Sequence, residues 1–217
     1  MAKTAEGVEK SAADAFRKEH WENLFRSKTY TDVLWHQTTP AKSLAQIERF
    51  AQPDDAIIDV GCGASLLVDN LIAKGYRDLC LLDASEASLQ IVRDRLASDA
   101  DIPVYVCSDI VNLNPQKQFR VWHDRAMFHF LQDATERRQY FEIMHASLLP
   151  GGTAVINTFA ADGETECAGL STIRYDRERM AAELPVGLQL IEAEDFVHTT
   201  PKNTAQNYAA FYIRKTC

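Results

Sequence analysis

Hydrophobic and polar positions follow two different rhythms along the middle of the chain. Short apolar runs that predict buried strands lie at 56–60, 79–82, 104–107, 119–123 and 153–159. Between them, apolar side chains recur at helical spacing, as at Leu89, Val92 and Leu96. Strands that alternate with helices predict a doubly wound α/β fold, in which a parallel sheet carries helices on both faces.

The two ends of the chain depart from this alternation. Residues 16–50 have a helical pattern interrupted near 38–40, and Pro40 suits the first turn of a second helix. Near the other end, a short helix at 176–184 precedes two long runs, 188–198 and 207–214. A polar connection separates these runs, so they predict an antiparallel pair that closes one edge of the sheet.

Composition narrows the class of protein. The chain has 217 residues, is 46% hydrophobic and 25% charged, and carries a formal net charge of −8. These values suit one globular domain with a short extension, and the negative charge argues against a nucleic-acid partner. The five cysteines form no C-x-x-C pair, and no signal core or long apolar run is present. We therefore expect a cytoplasmic protein without a membrane span.

Candidate chemistry begins where the first predicted strand ends. Asp59 precedes the turn Gly61-Cys62-Gly63, and the second strand ends at Asp83. A glycine turn that opens a helix presents backbone N–H groups to a ligand, and an acid about 20 residues later can bind ribose hydroxyls. Leu66 stands where a dinucleotide-binding turn has its third glycine, so the pattern favours another adenosine-type cofactor.

These motifs resemble those of class I S-adenosylmethionine-dependent methyltransferases. The segment Val121–Leu131 resembles the fourth-strand motif of a bacterial branch related to animal enzymes that methylate protein lysines. The resemblance implies a Rossmann-like seven-stranded sheet, mostly parallel with an antiparallel last strand. It also implies two regions, an N-terminal helical extension or lid at 1–50 and a methyltransferase domain at 51–217.

The resemblance implies S-adenosylmethionine as cofactor and S-adenosylhomocysteine as product. Asp59 would reach toward the methionine amino group, Asp83 would accept both ribose hydroxyls, and Asp109 would lie near the adenine amino group or cap a turn. The full set of expected cofactor residues is Asp59, Gly61, Cys62, Gly63, Asp83, Ala84, Ser108, Asp109, Ile110 and Trp35.

The candidate catalytic residues are His123 and Asp124, which lie where the fourth predicted strand ends. A carboxylate could orient an acceptor amine and a neutral imidazole could take its proton, although both could instead fix the loop by hydrogen bonds. Arg125 could bind an acidic substrate group, but we expect an internal pair with a carboxylate such as Asp124. The histidines show no metal-binding spacing, and we predict no metal.

The lid is predicted from the aromatic residues Trp21, Phe25 and Trp35, which could contact the sulfonium or simply pack a helix onto the sheet. The expected activity is methyl transfer to a nucleophilic acceptor. A protein lysine is the first candidate acceptor and a small molecule is the second. A non-catalytic module that binds the cofactor or its product is the alternative outside enzymology.

Overall fold

A computed structural model describes residues 5–216, with side chains from residue 15 onward. The predicted extension at 1–50 starts with four residues, and the predicted domain at 51–217 ends with Cys217, that lie outside the described part of the chain. The helices are α1 (Ala5–Ser27), α2 (Ala41–Glu48), α3 (Leu67–Ala73), α4 (Glu86–Leu96), α5 (Ala134–Ser147) and α6 (Arg177–Glu183). The strands are β1 (Ile57–Val60), β2 (Leu79–Asp83), β3 (Val104–Cys107), β4 (Phe119–Arg125), β5 (Leu148–Phe159), β6 (Glu166–Cys167), β7 (Leu170–Ser171), β8 (Leu188–Thr199) and β9 (Ala205–Lys215).

Seven strands form one sheet in the order β3-β2-β1-β4-β5-β9-β8. The pairs from β3 to β5 are parallel, and β9 is antiparallel to both β5 and β8. This order confirms the predicted doubly wound sheet with its reversed last strand. The carboxyl ends of β1, β2 and β4 lie side by side, so the loops that follow them share one edge of the sheet.

Alternate residues of the central strands pack on opposite faces of the sheet. On one face, Ile58 and Trp122 pack in the cluster that contains Tyr140 of α5. On the other face, Ile57 and Val121 pack with side chains of α2, α3 and α4. Both faces of the central strands are therefore covered, which explains why they are apolar runs rather than half-polar ones.

Three features differ from the predicted elements. β4 continues two residues beyond the predicted end, because Asp124 and Arg125 pair with Ile156 and Asn157 of β5 through their backbones. β5 begins at Leu148, which pairs with Phe119 before the register shifts. The short hairpin formed by β6 and β7 was not predicted, because strands of two residues leave no periodic signal.

Candidate functional site

The turn after β1 is shaped by glycines with left-handed backbone conformations. Gly61 has φ +63° and Gly63 has φ +53°. A Cβ at Gly61 would lie 2.6 Å from Cβ of Met127, in the loop after β4. The close packing of these two loops therefore requires glycine at position 61, whether or not a ligand binds there. A Cβ at Gly63 would lie 3.1 Å from the ring of Phe25.

Asp83 connects this turn to the next helix. One carboxylate oxygen accepts a hydrogen bond from Gly63 N at 2.8 Å, and the other accepts one from Ser85 N at 2.9 Å. The residue is buried, and burial raises the pKa of its carboxyl to about 6 despite these hydrogen bonds. Each carboxylate oxygen has a lone pair left to accept a further hydrogen bond. The two oxygens could therefore accept one hydrogen bond each from two adjacent hydroxyls.

The carboxyl ends of β1 to β4 border a cleft with an empty volume of about 840 Å³, its open mouth included. Nine of the expected cofactor residues line it, namely Gly61, Cys62, Gly63, Asp83, Ala84, Ser108, Asp109, Ile110 and Trp35. Asp59 does not line it, because its carboxylate turns to His123. The lining also includes residues that the sequence did not suggest for the cofactor site: Arg17, Leu82, Ala126, Met127, Leu131 and Cys167.

The first helix covers this cleft with residues spaced four apart, Arg17, Trp21 and Phe25. The ring of Trp21 lies edge-on to Trp35, with centroids 6.2 Å apart, and edge-on to Phe130 at 5.1 Å. The structure therefore places the predicted aromatic segment over the cleft. The i, i+4, i+8 spacing of Arg17 with the two aromatics was the signal that could have identified Arg17.

Ion pairs hold the covering helix in place. Arg17 donates from Nε to Asp109 at 2.8 Å and from both terminal nitrogens to Glu136 of α5, each at 2.9 Å. Asp109 also accepts from Val111 N at 3.1 Å and so caps a short turn. Both roles considered for Asp109 are thus compatible with its position, since it caps the turn and lines the cleft.

A second contact of the same helix lies at the start of α4. Glu22 accepts hydrogen bonds from Ser85 Oγ at 2.8 Å and from Ala87 N at 3.0 Å. A carboxylate at a helix N-terminus binds unpaired backbone N–H groups and is favoured by the helix dipole. The covering helix therefore docks onto elements that follow β2 and β3.

The two candidate catalytic residues lie beneath the cleft and do not line it. Nδ1 of His123 lies 2.7 Å from a carboxylate oxygen of Asp59, and Nε2 is buried without a hydrogen bond among the described residues. Asp124 accepts from the backbone of Met127 and Phe128 at 3.0 and 3.3 Å, and from the hydroxyl of Tyr140 at 2.8 Å.

Burial raises the pKa of Asp124 to about 6. The contacts of Asp124 hold the loop after β4, and the contact of His123 joins β4 to β1. A catalytic role for either residue stays a prediction.

Arg125 does not form the expected pair with Asp124, whose oxygens are occupied by other donors. Its guanidinium donates to the backbone carbonyl of Trp35 at 2.9 Å. Within the described residues, no carboxylate lies close enough to form an ion pair with it. Burial lowers its pKa from the ordinary value. The strand extension to residue 125 carries this cation past the buried layer and into the cleft.

Among the described residues, no group of three histidine, cysteine, aspartate or glutamate side chains could hold a metal ion. His129 is fully buried and stacks on Phe159 with ring centroids 4.8 Å apart. Its ring nitrogens make no hydrogen bond, and burial lowers its pKa to about 3. His129 is therefore a neutral core residue.

No helix in the described part of the chain is long and apolar enough to cross a membrane.

Residues 57–152 match a family model described as a methyltransferase domain. A malonyl-[acyl-carrier protein] O-methyltransferase of Ilyobacter polytropus is 21% identical over 82% of this chain and 63% of its own length. An eEF1A lysine and N-terminal methyltransferase of Mus musculus is 25% identical over 54% of this chain and 17% of its own length. The chain thus spans less than two thirds of either relative.

Solved structures share the fold across nearly the whole chain. A 1,6-didemethyltoxoflavin-N1-methyltransferase of Burkholderia thailandensis, solved with its substrate and S-adenosylhomocysteine, has a TM-score of 0.73 at 16% identity. The match covers 100% of this chain and 93% of that one. The N-methyltransferase NodS of Bradyrhizobium japonicum, in complex with S-adenosylhomocysteine, has a TM-score of 0.68 at 16% identity, covering 90% and 98% of the two chains.

Proposed function

We propose that this chain is a methyltransferase of the class I fold, and that it transfers a methyl group from S-adenosylmethionine to a small-molecule acceptor. The observation that carries the proposal is the cleft itself. Its walls at β1, β2 and β3 consist of the glycine turn, Asp83 and the segment 108–110, in the order expected for an adenosine-type cofactor.

The residues that follow β1, β2 and β3 include a suitable partner for each part of the cofactor. The carboxylate of Asp83 would accept the two ribose hydroxyls, and the segment Ser108–Ile110 would border the adenine. The left-handed turn at Gly61 and Gly63 allows the backbone to approach the methionine portion closely. The aromatic rings of Trp21 and Trp35 would lie over the sulfonium, where an aromatic face favours a positive charge.

The bound cofactor would supply an activated methyl group, and the protein would supply alignment. Methyl transfer is a direct displacement, so most of the gain comes from holding the nucleophile in line with the carbon–sulfur bond. The covering helix and Trp35 would exclude water from this site. A cleft partly covered by Trp21, Trp35 and Phe130 favours an acceptor that enters the cleft entirely over a lysine side chain reaching in from a folded protein.

The first test is calorimetric titration of the purified chain with S-adenosylmethionine, S-adenosylhomocysteine and NADH. We expect micromolar binding of the first two and none of NADH. The second test incubates the protein with methyl-labelled cofactor and cell extract, then separates proteins from small molecules. Label in the small-molecule fraction supports the proposal. Label confined to a protein band would instead identify a protein acceptor, and absence of transfer with intact binding would indicate a non-catalytic module.

A further inference from the structure

The charged side chains among the described residues that line the cleft are Arg17, Asp83, Asp109 and Arg125, and they differ in their partners. Arg17 is paired with Asp109 and Glu136, and the oxygens of Asp83 accept backbone hydrogen bonds. Arg125 has one hydrogen bond, to a neutral carbonyl, and no anionic partner in the part of the chain that the structure describes. Arg125 is partly buried, and Asp59 acts on it through space but forms no ion pair with it. A partly desolvated cation without an ion-pair partner would bind a ligand anion favourably.

Arg125 lies on the side of the cleft away from the elements assigned to the cofactor. It is the last residue of β4 and pairs with Asn157 of β5. It also lines a smaller cavity of about 280 Å³ that it shares with Tyr208 of β9 and His198 of β8. The sheet order places β5 and β9 on one side of β4 and the strands β1, β2 and β3 on the other.

We propose that Arg125 binds a carboxylate group of the methyl acceptor. The inference rests on the proposed function and specifies its acceptor as an organic acid. A guanidinium presents two parallel N–H donors that match the two oxygens of a carboxylate. The surrounding walls from Trp35, Met127, Phe130 and Leu131 are apolar, so the acid carries an aromatic or aliphatic body.

Tyr208 supplies a second donor beside Arg125. Its hydroxyl makes no hydrogen bond with the described residues, although the ring is buried. The hydroxyl and the guanidinium are close enough to influence each other's pKa. Arg125 lines both the cleft and the smaller cavity, and a carboxylate bound on the side of the smaller cavity would also accept from this hydroxyl. A positive charge at this point also disfavours a lysine ammonium as the entering group.

The carboxylate could come from two sources, the acceptor or the amino-acid portion of the cofactor. Arg125 lies on the β5 side of β4, which favours the acceptor as the source of the carboxylate. Binding measurements distinguish the acceptor from the cofactor. The full-length chain and its Arg125→Met variant are titrated with S-adenosylhomocysteine and with its decarboxylated analogue. Both proteins, saturated with S-adenosylhomocysteine, are then titrated with benzoate, 4-hydroxybenzoate, phenylacetate, hexanoate and decanoate, each beside its primary amide.

We expect S-adenosylhomocysteine to bind both proteins within about twofold, because the proposal assigns Arg125 to the acceptor. For at least one acid, the wild-type chain should bind the acid at least tenfold more tightly than its amide, and Arg125→Met should remove that preference. Arg125→Lys should keep part of it, because charge remains while the paired donors are lost. Tyr208→Phe should reduce acid affinity several-fold.

Arg120→Met is the matched control, because Arg120 lies at the other end of β4 and its side chain forms a long ion pair of 3.7 Å with Asp55. It should change neither titration. Equal binding of every acid and its amide would overturn the inference.

The inference would also fail if Arg125→Met weakened S-adenosylhomocysteine tenfold and abolished its advantage over the decarboxylated analogue. That result would assign Arg125 to the cofactor. Failure of the wild-type chain to bind S-adenosylhomocysteine at all would instead overturn the proposed function.

Discussion

Replacing Asp83 with asparagine should weaken cofactor binding strongly but change the stability of the ligand-free protein little. The pKa of this buried carboxyl is raised from 3.8 to about 6, which corresponds to about 3 kcal/mol in favour of its neutral form in the folded state. Its contribution to stability is therefore fully present below pH 3.8 and is lost as the pH rises through about 6. At neutral pH the ligand-free protein holds an ion that burial disfavours.

Asparagine avoids that cost but loses one acceptor for the N–H groups of Gly63 and Ser85. Because these effects oppose each other, the ligand-free Asp83→Asn variant should unfold at a temperature close to that of the wild type. Hydrogen bonds to a charged group contribute about 1.5–3 kcal/mol each, and asparagine can replace only part of two such bonds. Affinity for S-adenosylhomocysteine should fall about 50-fold or more.

The same carboxyl predicts a pH dependence of binding. If only the ionised form accepts the ribose hydroxyls, wild-type affinity should fall about tenfold from pH 8 to pH 5, and the asparagine variant should show no such change. Calorimetry measures the affinities, and thermal unfolding without ligand measures stability. Asp94→Asn, on the exposed face of α4, serves as control. The reasoning is refuted if the variant loses as much unfolding free energy as binding free energy.

Three further substitutions test the surrounding structure. Gly61→Ala places a Cβ 2.6 Å from a neighbouring methionine side chain and should cost about 1–3 kcal/mol of stability, whereas Gly169→Ala, also at positive φ but with open space around it, should cost less in the same denaturant titration. Arg17→Met removes the ion pairs of the covering helix and should weaken S-adenosylhomocysteine about tenfold by calorimetry; unchanged affinity would show that the helix does not act as a lid. Tyr140→Phe removes the hydroxyl that donates to Asp124 and should lower the unfolding free energy by about 1–3 kcal/mol; an unchanged value would show that this buried hydrogen bond is unimportant.

The fold could be predicted from the sequence because its signals are local. Strands covered on both faces appear as apolar runs, and helix starts carry capping residues such as Ser85, which accepts from Ser88 N. The sequence also predicted that nine of the ten expected cofactor residues would lie together, because they follow successive strands at one edge of the sheet, and all nine line one cleft. The hairpin of β6 and β7 was missed because its strands contain two residues each.

The partners of the residues at the end of β4 were harder to predict because contacts between distant segments decide them. His123, Asp124 and Arg125 are consecutive polar residues, and their sequence pattern does not show which of them are buried. In the structure, the first two are buried against Asp59 and Tyr140, while Arg125 reaches the cleft. The expected internal pair of Arg125 with Asp124 is therefore absent, whereas the catalytic roles suggested for His123 and Asp124 stay predictions.

This arrangement also limits the chemistry of the acceptor. Among the described residues that line the cleft, the carboxylates Asp83 and Asp109 are occupied on the cofactor side, and burial raises the pKa of the Cys167 thiol to about 11. At neutral pH that thiol is therefore protonated, and the oxygens of both carboxylates already accept hydrogen bonds. A lysine ammonium, with an ordinary pKa of about 10.4, must lose a proton before it can attack the methyl carbon. A nucleophile that already carries a free lone pair at neutral pH needs only alignment in the cleft. The protonated thiol, the occupied carboxylates and the positive charge of Arg125 thus support the proposed organic acid over a protein lysine as acceptor.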